Sequence, residues 1–124
     1  MKKFWGSLAA VTVLLLASGG AAAPPTGGTQ RIDQFENGDV HVWKAIITPN
    51  APLTMHRHEH PRVLVALDGG NVNIIQQSGA SELNHWETGK AYWLPASKPG
   101  TLHADAVVGK KPIEVMIVEL KNAQ

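Results

Sequence analysis

The chain has 124 residues, a formal net charge of +1, six His and no Cys. That length fits one domain, and without Cys no disulfide can staple it or carry a lipid, so the fold must rest on packing, helped by a metal or an oligomer. Without Lys2 and Lys3, nine Lys and Arg stand against ten Asp and Glu, which leaves no basic stripe and deprives nucleic-acid binding of its electrostatic footprint.

The N-terminus has the order of a secretory signal. Met1-Lys2-Lys3 is basic, residues 8–17 are apolar and uncharged, and small residues end in Ala21-Ala22-Ala23. The apolar run falls short of the ~20 residues that span a bilayer. Residues 1–23 are therefore expected to be removed on export, leaving a periplasmic or secreted protein with no stable membrane anchor. Residues 24–30, with Pro24-Pro25-Thr26-Gly27-Gly28, read as a linker.

From residue 31 to 121 the pattern is short apolar or alternating runs, with no helical periodicity. The predicted strands are 31–35, 40–48, 53–57, 62–67, 72–76, 82–86, 91–94, 101–108 and 113–120. Turn chemistry separates them, including Asn37-Gly38-Asp39, Thr48-Pro49-Asn50, Asp68-Gly69-Gly70-Asn71 and Thr88-Gly89. Evenly spaced strands of this kind predict an all-β protein, a single small antiparallel barrel or jelly roll. Residues 113–120 are apolar on both faces, which predicts a central strand. Exposed edges of so small a sheet favour covering by a second copy, a homodimer.

Three of the six His fall in His56-Arg57-His58-Glu59-His60. On an extended strand residues i and i+2 share a face, so His56 and His58 would present two imidazoles together. Neutral nitrogen ligands on a rigid element are what a divalent transition metal requires. A bare H-x-H also occurs in exposed loops, so the spacing alone leaves both readings open.

Around that pair the sequence resembles the cupin family, whose two motifs are G-x5-H-x-H-x(3,4)-E-x6-G and G-x5-P-x-G-x2-H-x3-N. The first falls on Asn50, His56, His58, Arg62 and Gly69; the second on Gly89, Pro95, Gly100, His103 and Val107. The resemblance runs from about residue 31 to 120, and it implies a cupin barrel holding Fe, Zn, Ni, Cu or Mn on His56, His58 and His103. Asn50 in the first Gly place is tolerable, because Asn enters the left-handed region readily. Three extra residues lie between Pro95 and Gly100, and Val107 replaces Asn. The largest departure is Arg62 in place of the ligating Glu, since a guanidinium has no lone pair to offer. His60 is a candidate substitute for that missing ligand.

Arg62 shares the parity of His56 and His58, if Pro61 leaves the register intact. A guanidinium inside a barrel needs a partner. It can be a carboxylate (Glu59, Glu119 or Asp105), or a small anionic ligand such as a carboxylate gripped by the planar fork. Alternatively the strand bulges at Pro61 and Arg62 faces solvent. Gln76 and Trp93 are further candidate ligand contacts, Gln76 from an inward strand face and Trp93 from two residues before Pro95. Tyr92 would then point outward. Trp43 and Trp86 read as core or barrel-mouth residues, Met55 and Met116 as core filler, and His41 and His85 as ordinary surface or half-buried His. No nucleophile constellation and no phosphate-binding glycine loop is present.

Three functions follow from these residues. One is a metal-dependent enzyme, since proteins similar to this one include dioxygenases, isomerases and decarboxylases. Another is a binding module for a metal or small anion, and the third is a structural barrel with a vestigial site.

Overall fold

The structure is a computed structural model that describes residues 28–123. The signal-like segment and residues 24–27 of the linker lie outside the described residues. All nine predicted strands form: β1 Gln30–Glu36, β2 Val40–Ile47, β3 Leu53–His56, β4 Arg62–Asp68, β5 Gly70–Gln76, β6 Ser81–Trp86, β7 Ala91–Leu94, β8 His103–Val108 and β9 Ile113–Leu120. There is no helix among the described residues.

Two antiparallel sheets face each other. One has the order β1-β2-β9-β4-β7, the other β3-β8-β5-β6. β9 lies at the centre of the larger sheet, between β2 and β4, as its two apolar faces require. Its inward residues Ile113, Val115 and Ile117 join Trp43, Ala45 and Ile47 of β2, Leu64 and Ala66 of β4, Val72 of β5 and Trp86 of β6 in one core. Burial of such side chains contributes roughly 1.5–3 kcal/mol each, which is how a chain without disulfides holds two sheets together.

Two turns explain their residues. Asn50 has φ of 63°, the only positive φ outside glycine among the described residues, and it carries the chain from β2 of one sheet to β3 of the other. Gly69 joins β4 to β5 so close to β6 that a Cβ there would sit 1.8 Å from the Trp86 carbonyl oxygen. Only glycine permits that approach.

The outer face of the larger sheet carries an apolar row through all five strands. Phe35 pairs with Val42, Val42 with Val118, Val118 with Val63, and Val63 with Trp93. Its two ends, Phe35 and Trp93, are 57% and 58% exposed.

Candidate metal centre

β3 ends at His56, one residue earlier than predicted, and His58 lies in the loop that follows. The two imidazoles therefore do not meet through strand alternation. Instead, the chain turns off the sheet and is pinned from across the barrel. The His58 backbone N–H donates to Ser97 Oγ (3.0 Å), and the Ser97 N–H donates to the His58 carbonyl (2.8 Å). His56 Nε2 then lies 3.0 Å from His58 Nε2, with the two rings edge to face at 88°.

His103 opens β8, opposite His56 in the strand pair. Ring centroids of His56 and His103 are 4.5 Å apart. One nitrogen from each of His56, His58 and His103 lies within 4.8 Å of the others, so the triad could hold a metal ion. The donor set fits such a use. His56 Nδ1–H donates to the Thr54 carbonyl (2.6 Å), which turns Nε2 towards the other two imidazoles, the orientation in which a backbone carbonyl holds a ligating His. Burial, then the Arg62 guanidinium, then the neighbouring imidazoles push His58 down to about 3, so it is neutral and ready to ligate at neutral pH. Burial likewise lowers His103, against the opposing pull of Asp105.

These groups line one end of a cavity of about 670 Å³ between the sheets. Trp43, Leu64, Trp86, Val115 and Ile117 form its apolar part, and Arg62, Gln76, Glu82, Asn84 and Asp105 join the histidines as polar lining. Arg62 is only 8% exposed, so the solvent-facing alternative does not hold. Burial lowers its pKa to about 10, while Asp105 and Glu119 act in the opposite sense. Its Nη1 donates to the Pro95 carbonyl (3.4 Å). Glu59 is exposed and pairs with Arg57 at 2.9 Å, which removes it as the partner of Arg62.

Four expectations, for Trp93, Tyr92, His60 and Met55, do not hold. Trp93 does not line the cavity. β7 ends at Leu94, so parity cannot be counted back from Pro95 through the strand. In the β4–β7 register Trp93 lies opposite Val63 and Tyr92 opposite buried Leu64. Tyr92 consequently packs on the core, and Trp93 faces out. His60 is half-buried but belongs neither to the triad nor to the cavity lining, because the loop before Pro61 breaks the alternation that would have aligned it. Met55 is 44% exposed on a strand whose pairing shifts between Leu53 and His56, and so is not core filler. His41 and His85 lie outside the triad: His41 sits beside Asp33 (3.1 Å), and His85 beside Asn71 (2.7 Å).

One residue of the site was weighed in the sequence only as a partner for Arg62. Asp105 is 7% exposed, with Oδ2 3.7 Å from His56 Nε2 and Oδ1 3.9 Å from His103 Nε2. Burial raises its pKa, opposed by His103, His56 and Arg62. The signal was legible: Asp105 lies two residues after His103 and shares its face.

No family model and no curated protein matches the sequence. Solved structures do match. A cupin domain from Bordetella pertussis Tohama I is 22% identical, over 76% of this chain and 94% of that one, with a TM-score of 0.67. A double-stranded β-helix protein from Klebsiella pneumoniae is 23% identical, over 82% and 85%, with a TM-score of 0.58. The polyketide cyclase RemF from Streptomyces resistomycificus is 15% identical, over 74% and 64%, with a TM-score of 0.56. The chain shares the double-stranded β-helix fold of these cupin structures.

Proposed function

We propose that this protein is an exported cupin that binds a divalent transition metal on His56, His58 and His103 and receives a small organic anion, such as a carboxylate, beside it. The observation that carries this reading is the placement of the triad. Its nitrogens face a cavity rather than a closed shell, as in sites that keep a coordination position for a ligand. A divalent ion on neutral imidazoles adds positive charge to a space that already contains buried Arg62, and this favours an anion. The planar guanidinium suits a carboxylate, Gln76 adds a polar contact, and the Trp43 and Trp86 walls suit an apolar or flat remainder. Imidazoles alone do not choose among Fe, Zn, Ni, Cu and Mn.

Elemental analysis of tag-free protein taken from its own compartment tests the metal. Stoichiometric metal that a His56→Ala, His58→Ala double variant loses supports the reading, and failure to load any divalent ion sinks it. Loss of carboxylate binding in Arg62→Ala with metal retained supports the anion subsite. A change in stability alone would make Arg62 structural.

Turnover is a second reading, supported by the open cavity and by an enzyme among the structural neighbours. It requires metal-dependent conversion of the bound anion, in the manner of a dioxygenase, isomerase or decarboxylase. Export rests on the basic, apolar and small-residue order of residues 1–23. The mature N-terminus, read by intact mass of the periplasmic or secreted protein, checks it. A homodimer is supported by the outer apolar row. Five strands about 4.8 Å apart and about 23 Å long give a face on the order of 500 Å² in projection, comparable with the ~800 Å² per partner of standard interfaces. Sedimentation of Trp93→Glu beside the parent protein tests it, a dimer that persists unchanged placing the contact elsewhere.

A further inference from the structure

Arg62 fills the place where the motif puts an anionic ligand, so β4 brings no carboxylate to the metal. We propose that Asp105, from β8 of the opposite sheet, is the fourth ligand and the centre's anionic donor, an inference that rests on the metal reading above. Its two oxygens approach two different imidazoles, His56 at 3.7 Å and His103 at 3.9 Å, both at Nε2. A carboxylate that merely orients a ligating His accepts the N–H of the ring's remote nitrogen. For His56 that nitrogen is Nδ1, and it is already given to Thr54. Asp105 therefore approaches the nitrogen of His56 that is turned towards the other two imidazoles, not the one bonded to Thr54.

Two ligands about 2.0–2.2 Å from one ion are at most about 4.4 Å apart. Asp105 meets that limit towards His56 through Oδ2 (3.7 Å) and towards His103 through Oδ1 (3.9 Å), while the three imidazole nitrogens lie within 4.8 Å of one another, so a shared ion would draw the set inward. Nothing else claims the group. Among the described residues no Lys or Arg forms an ion pair with Asp105, and the hydrogen bond of Arg62 goes to Pro95. A carboxylate also widens the set of acceptable ions towards harder ones such as Mn(II).

The test uses the full chain, stripped of metal and titrated with Zn(II) and Co(II). Asp105→Asn is expected to weaken Zn(II) binding by more than the roughly 100-fold that outer partners cost and to change the visible absorption of bound Co(II). If Asp105→Asn binds within tenfold of the parent and leaves the Co(II) spectrum unchanged, while His56→Ala abolishes binding, the Asp105 assignment is overturned and the metal reading stands. If the parent takes up none of Zn(II), Co(II), Fe(II), Ni(II), Cu(II) and Mn(II), both fall. A measurement on the unmutated chain covers misfolding of the variant: with ¹³C-aspartate, one equivalent of Zn(II) should shift a carboxylate stretching band, and an unshifted spectrum overturns the assignment.

Discussion

The two sheets divide the work. The five-stranded sheet supplies most of the buried core, from Trp43, Ala45 and Ile47 through Leu64 and Ala66 to Ile113, Val115 and Ile117. The four-stranded sheet and the loop leaving β3 supply His56, His58, His103 and Asp105. Each sheet reaches into the other's territory: Arg62 is a buried charge on the core sheet, and Val72 and Trp86 are core residues on the chemical one. The lesson is that a barrel can keep a polar constellation in its interior if one wall gives up its own packing and the other makes up for it.

If that division is real, substitutions on the two sheets should affect different observables. The largest effect is expected for His103→Ala. It removes a ligand held by β8, so metal affinity should fall by more than the roughly 100-fold of an outer-partner change, while the apo protein unfolds near the parent's midpoint. Isothermal titration and urea denaturation check the two halves. Ile113→Ala is the mirror case. Ile113 is 1% exposed and does not line the cavity, so the change should cost about 2–5 kcal/mol of stability with metal stoichiometry intact. A large metal defect there would show that the sheets are not separable.

This division also explains what could be read without coordinates. Strand positions were legible because each run is bounded by Gly, Pro, Asn or Asp and alternates with period two. The His56, His58 and His103 set was legible from motif spacing, although strand alternation does not place His58, which lies beyond the end of β3. His58 is placed by hydrogen bonds to Ser97, a residue 39 positions away, and no local pattern announces such a contact. Trp93 was misplaced because parity fails where a strand stops, and four-residue β7 stops immediately before the proline that anchored the count. Asp105 occupies an unspecified position of the second motif, so the motif does not mark it, although its i+2 spacing from His103 puts it on the same strand face.

Arg62 gives a smaller and opposite test. It has no carboxylate within ion-pair distance among the described residues, and burial holds its pKa below the usual guanidinium range. Arg62→Met should therefore raise apo stability, by about 1 kcal/mol, while abolishing carboxylate binding. The same variant acts on His58, for which Arg62 is the second cause of depression after burial. The pKa of His58, followed by NMR in apo protein, should rise from about 3. The sign for stability follows. Unfolded chains protonate this imidazole near 6.5 and the fold resists until about 3, so its contribution is full above 6.5 and is lost as the pH falls towards 3. A shallower loss in Arg62→Met would tie the two residues together.

The smallest effect belongs to the point where the chain passes between the sheets. Asn50 is exposed and left-handed, with φ of 63°, and the Thr48–Ala51 bridge closes the turn around it. A side chain with a Cβ costs roughly 1–2 kcal/mol in that conformation, and Asn offsets part of this through local hydrogen bonding. Asn50→Ala should therefore lose about 1 kcal/mol, whereas Asn50→Gly should match or slightly exceed the parent, as read from urea midpoints. Both should keep full metal affinity, because the turn sets the crossing between sheets and His58 is positioned separately by Ser97. If Asn50→Ala instead loosened the metal in proportion to its loss of stability, the crossing itself would be aiming β3 at the site, and core and chemistry would be one cooperative unit.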